Sequence, residues 1–176
     1  MLKLDDVVKF IHNPLAYEQK LVSIINTKGE VIPLSSFSEL YGSEPKTVKV
    51  EGMERFSSVV YHQCEWFRLI HEHTGPITCH VFIAQEDSPS FPMHTDPDDI
   101  VILCCDGRKS MDINGQYITL EVGESVYIPA NTPHRALNEH ASMMMSIGLE
   151  KYLIDKAKDY ELDNLPEDNG DLQPQL

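Results

Sequence analysis

Basic residues are scarce in this sequence. Its 176 residues include 14 lysines and arginines against 28 aspartates and glutamates, which gives a formal net charge of -14 at pH 7. Nucleic acids and anionic membrane surfaces are both bound mainly through positively charged faces. We therefore expect neither nucleic acid nor a membrane surface among the partners of this protein.

Long apolar runs and paired cysteines are also lacking. No run reaches the roughly 18 apolar residues of a membrane span, and the N-terminal MLKLDDVVKF does not resemble a secretory signal peptide. The four cysteines, Cys64, Cys79, Cys104 and Cys105, form no CxxC motif. This pattern favours reduced thiols in a cytoplasmic protein. Because Cys104 and Cys105 are neighbours in a strand-like run, we expect their side chains to face opposite ways.

The length and a hydrophobic fraction of 41% suit one folded domain, in which we distinguish three segments. In the first, residues 1–75, apolar spacing near 3.6 over residues 4–25 is interrupted by Pro14. That spacing predicts two short helices or one kinked helix. The other elements predicted in this segment are short strands at 29–34 and 47–50 and an amphipathic helix from about 55 to 72.

The second segment, residues 76–150, is rich in short β-like runs separated by turns. These runs are 77–85, 91–96, 99–105, 109–113, 116–122, 125–130, 134–138 and 142–149. Asn114-Gly115 is a strong hairpin signal between two of them. So many short strands predict a mainly β protein built on an antiparallel barrel or jelly roll, with the N-terminal helices packed outside it. Residues 151–176 indicate an acidic C-terminal helix and tail.

A histidine and an aspartate two residues apart suggest a metal site. In an extended strand, His94 and Asp96 would point to the same face. A third donor, His134, follows a turn and a strand about forty residues later, and neighbouring strands of a small barrel could bring it beside them. Two imidazoles and one carboxylate leave positions open for reaction, which is typical of non-haem Fe(II) rather than of a closed structural zinc site.

These motifs resemble those of the double-stranded β-helix oxygenases of the cupin superfamily. The shared pattern is His94-Thr95-Asp96, the apolar strand IVILCC, Gly107-Arg108-Lys109, and then GESVYIP followed by His134. Within the superfamily the chain resembles the Jumonji C-like group, which includes ribosomal oxygenases and the asparaginyl hydroxylase of hypoxia-inducible factor. The resemblance covers roughly residues 77–150.

The resemblance implies a role for Lys109. In the family, the basic residue at this place pairs with the distal carboxylate of 2-oxoglutarate. Strand alternation would turn Lys109 inward, whereas Arg108 and Arg135 would face away from the site. Candidates for a hydroxyl that assists the lysine are Ser146, Thr78 and Tyr117. Five further histidines lack a ligand partner at a useful spacing and are not assigned to the site: His62, His71, His73, His80 and His140.

The function implied by the resemblance is that of an Fe(II)- and 2-oxoglutarate-dependent dioxygenase. His94, Asp96 and His134 would be the metal ligands and catalytic residues, and dioxygen would be the second co-substrate. The hydroxylated substrate is not readable, because peptide side chains, free amino acids and small metabolites all suit this fold. Two alternatives stay open: a cupin-fold metalloenzyme that does not use 2-oxoglutarate, and a ligand-binding cupin module. The outer helices leave both a monomer and a homodimer open.

Overall fold

A computed structural model describes residues 1–151 of the chain. The α-helices are α1 (Leu4–Ile11), α2 (Pro14–Glu18) and α3 (Ser58–Ile70), and short 3-10 helices lie at Phe37–Leu40 and Met53–Arg55. The strands are β1 (Val22–Ile25), β2 (Val31–Pro33), β3 (Thr47–Glu51), β4 (Ile77–Ala84), β5 (Asp99–Gly107), β6 (Lys109–Ile113), β7 (Gln116–Leu120), β8 (Ser125–Ile128), β9 (His134–Leu137) and β10 (Ser142–Leu149). Apart from Lys151, the acidic helix and tail expected at 151–176 lie outside the described residues.

The strands form two antiparallel sheets. The larger has the order β2-β1-β3-β4-β10-β5-β8, and the smaller has the order β7-β6-β9. An apolar cluster joins side chains from both, including Phe82 and Ile102 of the large sheet and Met111 of the small one. The described residues are therefore mainly β and adopt a double-stranded β-helix, which confirms the predicted fold class.

The N-terminal segment contributes to this fold in two ways. Strand β3 pairs with β4, with Val50 opposite Val81, so the large sheet continues across the expected division at residue 75. Helices α1 and α3 cover the outer face of that sheet, where Val7 and Val60 join the same core cluster as Val81 and Met145. The helices thus pack outside the barrel, as predicted, and leave the inner face of the sheet for a cavity.

Two local predictions need correction. Residues 91–96 do not form a strand; within this run only His94 makes a β-bridge. Pro92 within the run and Pro97 after it have no N–H to donate to a ladder, which accounts for the short pairing. The helical spacing over 4–25 also ends early, because Lys20 adopts a positive φ of 57° and Val22–Ile25 then forms β1.

The adjacent cysteines of β5 face opposite ways, as predicted. Cys104 belongs to the cluster between the two sheets, whereas Cys105 belongs to the cluster under the helices. All four cysteines are buried free thiols. Among residues 1–151, no helix combines the length and the apolar character that crossing a membrane would require.

We predict that the tight connection between β5 and β6 is sensitive to a single methyl group. Gly107 has φ of 68°, and a Cβ there would collide with the carbonyl oxygen of Ala141. Gly115 has a similar φ of 80°, but nothing lies within 4 Å of an added Cβ. In urea unfolding, Gly115→Ala should cost about 1 kcal/mol for the backbone alone. Gly107→Ala should cost roughly 3 kcal/mol or more; equal losses in the two variants would contradict this account.

Candidate functional site

A backbone bridge between two distant segments brings the predicted ligands together. His94 lies in the connection between β4 and β5, and His134 is the first residue of β9. Each donates its backbone N–H to the carbonyl oxygen of the other, at 3.1 and 2.8 Å. The carbonyl oxygen of Asp96 accepts a hydrogen bond of 2.8 Å from the N–H of Asn131. These bonds fix the backbones from which the three side chains project.

The three side chains converge on one point. One ligand atom from each of His94, Asp96 and His134 can be chosen so that all lie within 4.8 Å of one another. The Oδ2 of Asp96 lies 3.3 Å from Nε2 of His134 and 4.0 Å from Nε2 of His94. His134 is buried, whereas His94 and Asp96 are about one-third exposed. The site is therefore anchored on one side and accessible on the other.

Hydrogen bonds to the backbone orient both imidazoles for metal binding. Nδ1 of His94 lies 2.9 Å from the carbonyl oxygen of Pro92, and Nδ1 of His134 lies 2.9 Å from that of Thr132. Because a carbonyl oxygen only accepts, we assign the ring proton to Nδ1, which leaves the Nε2 lone pair directed at the site. Metal-binding histidines are commonly held in this way. Without a metal, a protonated His134 donates from Nε2 to Asp96, and this hydrogen bond lowers the pKa of Asp96 and raises that of His134; metal binding at Nε2 must displace that proton.

A cavity of about 300 Å³ opens onto the three side chains. Its remaining walls come from both sheets and are largely apolar, with three polar exceptions. Besides the three candidate ligands, the lining residues are Lys49, His80, Phe82, Phe91, Ile100, Ile102, Met111, Ala136, Met144 and Ser146. A few polar groups in an apolar cleft are typical of small-molecule sites.

Lys109 lies inside the barrel but is not one of the side chains that line this cavity. It is 1% exposed and shares the inward face of β6 with Met111, which does line it. Its Nζ donates a hydrogen bond of 2.5 Å to Oδ1 of Asn138. Burial lowers the pKa of Lys109 to about 8. Within residues 1–151, no carboxylate forms an ion pair with this lysine.

Asn138, which sequence reasoning missed, holds Lys109 within a polar network. Its Nδ2 donates to Oγ1 of Thr47 and to the carbonyl oxygen of Ser88, both at 3.0 Å. No motif marks Asn138, because its role depends on the pairing of β9 with β6. His80 and Lys49 were also missed, although alternation in ITCHVFIA already places His80 on the same face as Phe82.

The structure also locates the candidate hydroxyls, the two arginines and the methionine run that the sequence singled out. Of the three candidate hydroxyls, Ser146 lines the cavity, Tyr117 is 57% exposed, and Thr78 is not part of the lining. Arg108 and Arg135 point outward, as predicted, and form exposed ion pairs of 2.9 Å with Glu121 and 3.2 Å with Asp112. One methionine of the β10 run, Met144, also reaches the cavity.

Comparisons with known proteins support the cupin fold. Residues 80–148 match the family model described as "Cupin domain". The ribosomal oxygenase YcfD from Escherichia coli, in complex with cobalt and succinic acid, is 20% identical with a TM-score of 0.70, and the match covers 99% of this chain and 53% of that one. The same enzyme in complex with cobalt and 2-oxoglutarate is 18% identical with a TM-score of 0.69, and the match covers 99% of this chain and 53% of that one. No curated protein matches the sequence.

At such low identity, the likeness to YcfD shows the fold alone. The chain spans about half the length of that enzyme. What the comparisons and the geometry together support is a cupin-type double-stranded β-helix that carries a His–Asp–His group able to hold a metal ion.

We predict that the purified protein binds about one Mn(II), used as a stand-in for Fe(II), through these three side chains. His94→Ala, Asp96→Ala and His134→Ala should each remove most of the binding, because each supplies one of only three protein ligands. His80→Ala is the matched control, since His80 lines the same cavity outside the ligand group. Calorimetric titration measures the affinity; equal losses in all four variants would show that the ligands are misassigned.

We also predict that Lys109 lowers stability at neutral pH. Its pKa falls from 10.5 to about 8 on folding, so the unfolded chain holds the proton more tightly. The free-energy cost of burying the charged ammonium is therefore fully present below pH 8. Lys109→Met should therefore raise the free energy of unfolding at pH 7 by up to about 3 kcal/mol. The gain should vanish as the pH rises from 8 to 10.5, because the wild-type lysine then loses its charge in both states.

Urea unfolding of wild type and variant across this pH range measures the effect. Arg108→Met is the matched control, because it removes an exposed cation one residue away and should change stability by less than about 1 kcal/mol. A Lys109→Met protein that is less stable than wild type at pH 7 would show that the ammonium group is well solvated or paired in the fold.

Proposed function

We propose that this protein is an Fe(II)- and 2-oxoglutarate-dependent dioxygenase that hydroxylates a small metabolite or a peptide side chain. The observation that carries the proposal is the pairing of two features inside one barrel. One is a His–Asp–His group whose lone pairs face a cavity; the other is a buried lysine without a carboxylate partner among the described residues. The proposal is supported by the solved structure of YcfD, a protein of this fold, in complex with cobalt and 2-oxoglutarate.

Different side chains would bind the metal and surround the reacting groups. His94, Asp96 and His134 would bind Fe(II), and with only three protein ligands the metal could also bind 2-oxoglutarate and dioxygen. Together with dioxygen, the cofactors supply an oxidation that converts 2-oxoglutarate and a C–H bond into succinate, carbon dioxide and an alcohol. The apolar walls, including Phe82 and Met144, would exclude water around the reacting groups.

Lys109 would bind the far end of the co-substrate. A dicarboxylate that binds the metal through one end carries its second negative charge deep into the barrel. A buried charge without a partner is strongly unfavourable, and Lys109 is itself such a charge at pH 7. When the two meet, each removes the penalty of the other. Asn138 would then orient the ammonium group through the contact it already makes.

We predict that 2-oxoglutarate binds the Mn(II)-loaded protein, and that the Fe(II) form, supplied with dioxygen and with ascorbate as reductant, slowly converts it to succinate and carbon dioxide without added substrate. Lys109→Ala should retain the metal yet weaken 2-oxoglutarate by roughly 3–5 kcal/mol, because one partner of a buried charge pair is lost. That is on the order of a hundredfold or more in affinity. Lys109→Arg should be milder, since the charge remains.

Calorimetry measures the affinity, and NMR of succinate measures the turnover. Arg108→Ala, an exposed neighbour on the opposite face, should behave as wild type in both. A wild-type protein that binds the metal but neither binds 2-oxoglutarate nor forms succinate would rule out the dioxygenase.

One observation favours a second candidate, a cupin-fold metalloenzyme that does not use 2-oxoglutarate. The Nζ of Lys109 already donates to Asn138, and the side chain is not among those lining the cavity. 2-Oxoglutarate would reach Lys109 only if the residues between it and the cavity rearrange. If Lys109 is only structural, Lys109→Ala leaves every ligand affinity of the metal-loaded protein unchanged.

A further inference from the structure

A row of polar side chains crosses the inner face of the large sheet. Glu51 of β3 is paired in register with His80 of β4, and His80 is paired with Ser146 of β10. Lys49 lies on the same face of β3, two residues before Glu51. Lys49, His80 and Ser146 all line the cavity. The metal group described above uses none of these four residues, and among them only Ser146 was considered above for a role, as a hydroxyl that assists Lys109.

Glu51 holds the row together. Its Oε1 lies 2.6 Å from Nζ of Lys49 and 3.2 Å from Nε2 of His80. The side chain of Lys49 is only 13% exposed, and those of Glu51 and His80 are about one-third exposed. Lys49 and His80 line the cavity, whereas Glu51 is not one of its lining residues and contacts both of them from beside it.

The imidazole in this row is neutral at pH 7. Burial lowers the pKa of His80, and the charge of Lys49 lowers it further. A neutral ring beside a carboxylate donates through Nε2, so we assign the free lone pair to Nδ1. Asp96 is close enough to His80 to influence that pKa as well. The row thus faces the space next to the metal group.

The ion pair of Lys49 and Glu51 can still form hydrogen bonds with a ligand through both its cation and its anion. An ammonium group has three N–H donors, and Lys49 makes a single hydrogen bond among residues 1–151, to Glu51. A carboxylate has two oxygens, and both contacts to Glu51 are made by Oε1 alone. A ligand in the cavity can therefore meet the Lys49 cation in the wall and the Glu51 carboxylate directly beside it, and hydrogen bonds to charged groups of this kind are strong.

The opposite signs select among ligands. A simple anion would gain from Lys49 but be repelled by Glu51, and a simple cation would meet the reverse. A ligand that carries both charges a short distance apart satisfies both groups. The cavity volume of about 300 Å³ lies at the lower end of small-molecule sites, which favours a compact ligand.

We propose that Lys49 and Glu51 bind a free α-amino acid, with its carboxylate at Lys49 and its ammonium at Glu51. Its side chain then extends along the cavity, past the packed rings of Phe82 and Phe91, toward the metal group. The inference rests on the proposed function insofar as this amino acid is the substrate that is hydroxylated. The binding site itself follows from residues that neither the metal nor Lys109 requires.

The test is a calorimetric screen of the proteinogenic L-amino acids against the full chain loaded with Mn(II) and 2-oxoglutarate. At least one amino acid should bind, and its N-acetyl and its carboxamide derivatives should each bind at least tenfold more weakly. Lys49→Met and Glu51→Gln should each weaken the free amino acid by about ten- to hundredfold. Lys9→Met is the matched control, because it removes a lysine from an exposed pair with Asp6 on α1.

The outcomes separate the two proposals. If no amino acid binds, or if the capped derivatives bind as well as the free ones, the amino acid site is wrong, even where 2-oxoglutarate is turned over. If an amino acid binds with the expected charge dependence but no succinate forms with Fe(II), the site stands and the dioxygenase fails. The capped derivatives need no variant, so the test holds even if Lys49→Met does not fold.

Discussion

The pair of backbone hydrogen bonds between His94 and His134 is the interaction on which the site depends. It joins the loop after β4 to the start of β9, and therefore ties the large sheet to the small one. Without it, the two imidazoles would belong to independent segments, and the loop bearing Asp96 would have little other pairing. Because the bridge uses backbone atoms only, both side chains remain free for a ligand.

The two faces of the large sheet have different roles: one forms the core and the other lines the cavity. Its outer face packs against α1 and α3 and forms the main apolar core, whereas its inner face lines a cavity with polar groups among apolar ones. Stability thus comes chiefly from one side and chemistry from the other. The free energy lost by burying Lys109 without a counterion is tolerable because the outer core is extensive.

Two lysines inside the barrel differ in their partners, and that difference separates their proposed roles. Lys49 is compensated by Glu51, so the pair is stable alone and suits a ligand of mixed charge. Lys109 has only the neutral amide of Asn138, so it suits a ligand that brings a full negative charge. The likeness to YcfD concerns the fold alone at this identity, and substrate choice must be argued from such residues of the chain itself.

The sequence by itself determined the β-rich fold, the outer helices and the opposite faces of Cys104 and Cys105, because these follow from local periodicity. It also identified the residues proposed as ligands, through the short His94–Asp96 motif and the resemblance of the longer pattern ending at His134 to a known family. It misjudged FPMHTD as a strand, since the prolines around His94 permit only one bridge. Only the tertiary structure decided the polar row of Lys49, Glu51 and His80. Those contacts depend on the register of β3 against β4, and register between strands far apart in the chain is set by packing of the whole sheet rather than by any local pattern.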